Sequence, residues 1–287
     1  MTWCLAVDSS CNFRDFQPQS PAQFFFAPLT IHVGDREYAD DSTLDVEAFL
    51  DAVAQEERAT SSSCPSVGDW AEIFRQADQV IAITISSGVS GSYEAALMAR
   101  KVVLEEDASE ASGAAQRKIA VIDSRAAGAK LEVLVTMIDR YLMNNPSFED
   151  AVSYAERLEA ASQVLYSLSS YENLTKNGRM PKLVGTLASR FGIRLLGTAD
   201  EVGKLKVVGP TRGERKMYRK VLDVMEADGY HGGMVFIDHV HNAESAQKLS
   251  EAIKERWSTA EVSCMTCGGL CSYYAEESGL IIGYEWL

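Results

Sequence analysis

The sequence predicts an α/β fold in two parts: an N-terminal domain with a mainly parallel sheet flanked by helices, and a smaller α/β C-terminal domain. Three observations lead there. Short apolar, β-branched runs alternate with stretches of helical period. Several of those runs are apolar throughout, as in strands buried on both faces. After about residue 160 the regular alternation gives way to a mixed pattern. At 287 residues the chain can form two ordinary domains, or one large one, each with its own core. The boundary is expected near residues 155–162, giving domains of 1–158 and 159–287.

Taken in order, Trp3–Val7 is the first apolar run, closed by the polar Asp8, Ser9 and Ser10. Val46, Phe49, Leu50 and Val53 then recur on one helical face. Trp70, Ile73, Phe74 and Ala77 repeat that pattern, with Pro65 placed to open a helix. Val80–Ile85 reads as a strand buried on both faces, and Ile119–Ile122 as another that stops at Asp123 and Ser124. Leu131, Leu134, Val135, Ile138 and Leu142 form the next helical stripe. Asn144, Asn145 and Pro146 interrupt the chain, and one more helix runs to about Ser162. Beyond it, Val164–Leu168, Leu205–Val208, Met234–Ile237 and Glu261–Met265 read as strands. Helical patterns cover Glu214–Ala227 and Ala243–Trp257.

Lys and Arg number 27 against 41 Asp and Glu, so the formal charge is 27 − 41 = −14. Such a surface repels phosphate backbones unless its cations cluster. The one modest cluster, Arg212–Lys220, falls within a helical pattern, so nucleic acid is not an expected partner. Met1–Ser10 has neither a basic start nor an apolar core of a signal peptide, and no apolar run reaches the length of a membrane span. A cytoplasmic protein without integral membrane contact is expected. In that setting the six cysteines, Cys4, Cys11, Cys64, Cys264, Cys267 and Cys271, read as free thiols.

The stretch most suggestive of function is Val80–Ala99, VIAITISSGVSGSYEAALMA. A buried strand stops at Ile85, a Ser/Gly loop follows, and a helix begins near Ser92. Ligands of open α/β sheets bind at the carboxyl ends of strands, and a helix start offers N–H groups and positive potential to an anion. Gly88 and Gly91 let the backbone approach, while Ser87, Ser90 and Ser92 add neutral donors. The arrangement suits a carboxylate or a phosphate; a capped turn is the plainer alternative. A second polar loop, Thr60–Ser66, places Ser62 and Ser63 among four consecutive hydroxyl residues, more than one helix cap needs. Asp8, Ser9 and Ser10 could bring a third loop to the same sheet edge.

These loops, with their neighbours, resemble the DegV family of bacterial fatty-acid-binding proteins, which has the EDD fold. The matching segments are LAVDSS near the start, PLTIHVGDREYADD at Pro28–Asp41, SSCPS at Ser62–Ser66 and ISSGVSGSY at Ile85–Tyr93. VIDS at Val121–Ser124, NGRM at Asn177–Met180 and the Arg212 region follow in the family's order. The resemblance implies a long-chain fatty acid as ligand, without cofactor or metal, its acyl chain buried between the two domains. It further implies that the carboxylate is held by Ser62 and Ser90 with N–H help near Gly91. In some relatives a separate fatty acid kinase phosphorylates the bound acid, and Arg179 would then serve the phosphate or partner side. Neutral donors hold a carboxylate without burying a counter-ion pair. Each buried CH₂ of a tail adds about 0.8 kcal/mol.

The C-terminus departs from that resemblance. The family's closing His and Gly-Pro-Gly are replaced within Gly268–Leu287, with Ala275 at the His position and Glu277 and Ser278 in place of Gly-Pro. An ionised Glu277 beside a carboxylate would oppose binding unless it turned outward or a carboxyl were protonated. This supports a second reading, a divergent paralogue that binds or acts on a different small carboxylated or phosphorylated molecule with Glu277 as a working acid. At Ile193, Arg194 and Leu195 the family's Ile-Lys-Pro is altered, a local backbone matter.

The remaining candidates read as structural. Cys264, Cys267 and Cys271 lack the fourth ligand and paired spacing of a structural zinc site. His239 and His241 follow a strand and suit a surface or capping role. Asp40 and Asp41 suit a solvated turn ahead of the helix at Val46. No Ser is paired with a base, and neither a G-x-S-x-G elbow nor a Walker loop occurs, so no catalytic residue is assigned.

Overall fold

The computed structural model describes residues 1–109, 117–181 and 194–287. The elements run β1 (Trp3–Asp8), β2 (Ala22–Ala27), β3 (Thr30–Val33), β4 (Arg36–Ala39), α1 (Val46–Gln55), β5 (Ser61–Ser63) and α2 (Val67–Phe74). Next come β6 (Gln79–Thr84), α3 (Ser92–Ser109), β7 (Lys118–Asp123), α4 (Ala129–Leu142), α5 (Phe148–Ala160) and β8 (Ser162–Leu168). The chain continues as α6 (Glu172–Lys176), β9 (Arg194–Ala199), β10 (Leu205–Thr211), α7 (Glu214–Ala227) and β11 (Met234–His239). It closes with α8 (Ala243–Arg256), β12 (Glu261–Thr266), α9 (Gly269–Ala275) and β13 (Leu280–Glu285).

The first sheet has the order β2-β1-β6-β7 and is parallel throughout, as the apolar runs predicted. β1 and β6 are buried at every position because helices cover both faces. The second sheet, β10-β9-β8-β13-β11-β12, is antiparallel except for the β11–β12 pair. Its terminal strand β13, six buried residues read only as part of the closing segment, inserts between β8 and β11. A small third sheet pairs β3 antiparallel with β4 and β5.

Both sheets contribute to one core. α4 packs on β1 and β6 of the first sheet and on β8, β11 and β13 of the second. Its apolar stripe is wide, with Val133 buried alongside the predicted Leu131, Leu134, Val135, Ile138 and Leu142. One contiguous cluster therefore runs from Leu5 and Ile83 through α4 to Tyr166, Phe236 and Ile281. A Cβ on Gly283 of β13 would stand 2.2 Å from the carbonyl carbon of Ala129, so glycine there is what lets α4 approach the second sheet. α2 and α3 cover the outer face of the first sheet, α7 and α8 that of the second. The layers thus run helix, sheet, central helices, sheet, helix.

The run Thr60–Ser66, read from the sequence as a polar loop, is a correction. Ser61–Ser63 form β5, with Ser62 opposite Ile31 of β3. The cap is Ser66 alone, whose hydroxyl accepts from Asp69 N–H while the Asp69 carboxylate accepts from Ser66 N–H. Asp40 is a second correction. It is 1% exposed, paired with Arg14 at 2.9 Å, and accepts from Gly269 and Leu270 N–H at 2.8 and 3.1 Å. Asp41 does sit in an exposed turn with Thr43, and Asp45 caps α1. All six cysteines are free thiols. Among the described residues no helix is long and apolar enough to cross a membrane.

Candidate functional site

The register of the first sheet builds the site. Thr84 is paired with Asp123, and Val7, just before Asp8, is paired with Ile83. Two carboxylates thus flank the exit of β6. Asp8, fully buried, accepts from Ser10 N–H and hydroxyl at 3.2 and 2.6 Å, from Ile85 N–H at 2.8 Å and from the Ser92 hydroxyl at 2.6 Å. Burial pushes its carboxyl up from the usual range, while these donors pull it back. Asp123 accepts from Ser87 N–H and hydroxyl at 3.1 and 2.5 Å and from Arg125 N–H at 3.0 Å. The loop from Ser86 to Gly91 is therefore pinned at both ends, and Asp8 fixes where α3 begins.

Between the pinned ends the loop faces an apolar cavity enclosed by both sheets. Leu29, Ile85, Ala126 and Ala127 line it from the first half of the chain. Val164, Tyr166, Leu168, Leu270 and Ile281 line it from the second. Among the described residues the polar groups are few: Ser62, Ser86, Ser90, Arg125, Arg179 and Tyr274. Arg125 is not free to meet a ligand, because Glu159 takes its guanidinium with two hydrogen bonds and takes buried Lys130 as well. Its backbone is left-handed, φ +52°, held there by the N–H bond to Asp123.

The sequence-derived donors divide. Ser62 and Ser90 both reach the cavity. Ser62 does so because strand alternation turns it opposite to Ser61 and Ser63. Ser63 instead faces His32 at 3.1 Å and is exposed. Ser87 and Ser92, expected as donors to an anion, give their hydroxyls to Asp123 and Asp8 and hold the loop rather than line the cavity. These three positions correct the residue-level reading. Gly91 stands one residue beyond the lining, its carbonyl accepting Ala95 N–H at the start of α3. Ser86 turns its hydroxyl to the Gly203 carbonyl at 2.7 Å, tying the loop to the β9–β10 hairpin.

Tyr274 is the residue that sequence reasoning missed. Its hydroxyl lies 2.8 Å from that of Ser62, and the Arg179 guanidinium sits 5.6 Å over its ring. Burial pushes its phenol up, so it stays protonated near neutral pH. Arg179 also donates to the Val89 and Asn177 carbonyls at 3.4 and 3.0 Å. Ser62, Tyr274, Arg179 and the Val89–Ser90 turn therefore cluster at one place on the wall. Of the two hydroxyl hydrogens on Ser62 and Tyr274, one is spent between them and one remains for a ligand. The only signal in the sequence was a Tyr next to the position where a His is lost.

Glu277 does not face this cluster. It is 69% exposed and its carboxylate meets His241 Nδ1 at 2.8 Å, while Glu47 of α1 meets Nε2 at 2.9 Å. Ala275 does line the cavity and adds no polar group. His239 and His241 act as surface residues, as expected, with Asn242 N–H donating to His239 at 3.4 Å. Of the altered Ile193–Leu195 segment, Arg194 donates to the Ser278 carbonyl at 3.0 Å, and Ile193 lies outside the described residues. Among the described residues no three His, Cys, Asp or Glu side chains converge as a metal group.

The fold and site define a class: a two-sheet α/β protein whose apolar cavity carries, among the described residues, a cluster of hydroxyls beside the Arg179 guanidinium. The chain belongs to the DegV family, since the family model described as "Uncharacterised protein, DegV family" matches residues 2–285. A DegV domain-containing protein of Streptococcus pneumoniae is 34% identical over 286 residues, 99% of each chain. One from Streptococcus pyogenes serotype M1 is 35% identical over 99% of this chain and all of its own. Among solved structures, the Streptococcus pneumoniae Fatty Acid Kinase (Fak) B3 protein loaded with linoleic acid is 34% identical, with TM-score 0.94 over 99% of both chains. A DegV family protein from Eubacterium eligens loaded with heptadecanoic acid is 33% identical, with TM-score 0.92 over 99% of this chain and 100% of that one.

Proposed function

We propose that this protein is a non-catalytic carrier of a long-chain fatty acid, in the cytoplasm, with the acyl chain in the cavity between the units 1–158 and 159–287. The observation that carries this reading is the cavity itself, apolar over most of its wall with a small polar cluster at Ser62, Ser90 and Tyr274. Ser62 and Ser90 donate to the carboxylate, helped by N–H groups near Gly91 at the start of α3. The Tyr274 hydroxyl stands where the family's His is absent and pairs with Ser62, so the two together offer one hydrogen to the carboxylate beside that of Ser90. The relatives solved with linoleic and heptadecanoic acid support the ligand class.

A carboxylate held by neutral hydroxyls avoids burying a counter-ion pair. The tail then sets affinity, at about 0.8 kcal/mol per buried CH₂. Arg179, beside Tyr274, is suited to the side from which a kinase subunit would phosphorylate the acid, leaving catalysis to that partner. The outward Glu277, held by His241, removes the motive for the reading in which it works as an acid on another small molecule.

The test is a calorimetric titration of the delipidated protein with a long-chain acid and with its methyl ester. The acid is expected to bind more tightly by a factor of ten or more, and the Ser62→Ala, Ser90→Ala double variant is expected to erase the difference. Equal affinity for acid and ester in the wild type would refute the carboxylate cradle.

A further inference from the structure

Away from the cavity's polar cluster, the seam between α4 and β11 holds two acids that the carrier function does not use. Glu132 on α4 and Asp238 on β11 are both 0% exposed. Asn12 links them: its N–H donates to Glu132 Oε1 and its side-chain Nδ2 donates to Asp238 Oδ2 at 2.7 Å, while its Oδ1 accepts from Gly268 N–H at 2.8 Å. Each acid keeps one buried oxygen, Glu132 Oε2 and Asp238 Oδ1, with no hydrogen-bond partner among the described residues.

Among the described residues the surroundings give no free cation to neutralise two charges. Arg14, the nearby guanidinium among the described residues, is committed to Asp40. The remaining titratable neighbours are the thiols of Cys11, Cys264, Cys267 and Cys271, with Asp40 itself on the far side of Arg14. Ala129 N–H, at the first turn of α4, reaches Asp238 and favours some charge there. Two uncompensated carboxylates on facing elements would repel each other in a dry seam. A single proton relieves this, leaving one net negative charge for Asn12 and the helix start to hold.

We infer that Glu132 and Asp238 form a carboxyl pair that binds one proton at neutral pH and thereby joins the first half of the chain to the second. Burial pushes both carboxyls up, Glu132 to about 7, and the charge of Glu132 raises Asp238 further. For an acid raised in the folded state, the native protein holds more protons than the unfolded chain above the unfolded value of about 4.3 for Glu. The seam's contribution is therefore full below that pH and is lost as pH rises through about 7. Cys271, whose thiol lies near both acids, also lines the cavity, so loosening the seam reaches the wall.

The test is infrared difference spectroscopy of the full-length protein in the carboxylic-acid C=O region, between pH 6 and pH 9, for the wild type, Glu132→Gln and Asp238→Asn. The wild type is expected to show a protonated-carboxyl band at pH 6 that vanishes by pH 9. Each variant is expected to lose it, because with one acid removed the remaining carboxyl has no second charge to oppose it and is held as the anion by Asn12. Absence of the band in the wild type, or its persistence unchanged in either variant, would overturn the shared proton. Should a variant fail to fold, the wild-type titration alone decides. None of these outcomes depends on fatty acid being bound.

Discussion

Strand alternation and hydrogen-bond direction decide which serines can meet a ligand. Of the loop hydroxyls, Ser90 is left facing the cavity while Ser87 and Ser92 are held by Asp123 and Asp8. Ser90→Ala is therefore expected to weaken fatty-acid binding about tenfold, the worth of one hydrogen bond to a charged group. Ser92→Ala is expected to act through the loop instead, lowering the melting temperature as well as affinity; paired titrations and melts separate the two. Tyr274→Phe removes the hydroxyl beside Ser62 but keeps the ring under Arg179. A loss of a few-fold in affinity with unchanged melting temperature is expected there, within the range of a single neutral hydrogen bond of about 1 kcal/mol. The Ser/Gly loop was readable because a buried strand runs through Ser and Gly straight into a helix start, the place where open α/β sheets bind ligands. Which hydroxyl points where was not, because it depends on Asp8 and Asp123 arriving from strands far away in the chain.

At the scale of elements, the strands and helices that carry long apolar patterns matched the sequence reading: β1, β6, β7, α4, α7 and α8 lie where periodicity put them. β5 did not, because three serines have no hydrophobic pattern and pair with β3 only once the tertiary fold forms. Asp40 looked like a solvated turn residue, yet Arg14 and the start of α9 enclose it. Asp40→Ala is expected to cost about 3–5 kcal/mol, since Arg14 is left buried without its partner; chemical denaturation measures it directly. The His241 clasp between α1 and the turn before β13 makes a further prediction. Its hydrogen bonds to Glu277 and then Glu47 raise the imidazole above its usual value. The clasp's stabilisation is thus present below about pH 6.5 and lost as pH rises through the raised value. The difference in melting temperature between wild type and His241→Ala is expected to shrink from pH 5.5 to pH 8.5. A difference that grows over that range would reverse the sign.

For the whole molecule, α4 is the central element, since it carries the core of both sheets and one acid of the proposed proton pair. The two-sheet architecture was visible in outline, as strands alternating with helices and then a mixed region. The sharing of one core was hidden, because it rests on Gly283 admitting α4 and on β13 entering the second sheet from the chain's end. A cavity between such halves is where a tail escapes water without unfolding either sheet. Native mass spectrometry of protein purified from bacterial cells, followed by addition of a long-chain fatty acid to any apo fraction, tests this most directly. One acyl species per chain, lost on denaturation, is the result expected. Protein that is wholly apo and takes up none of the added acid would contradict the carrier function.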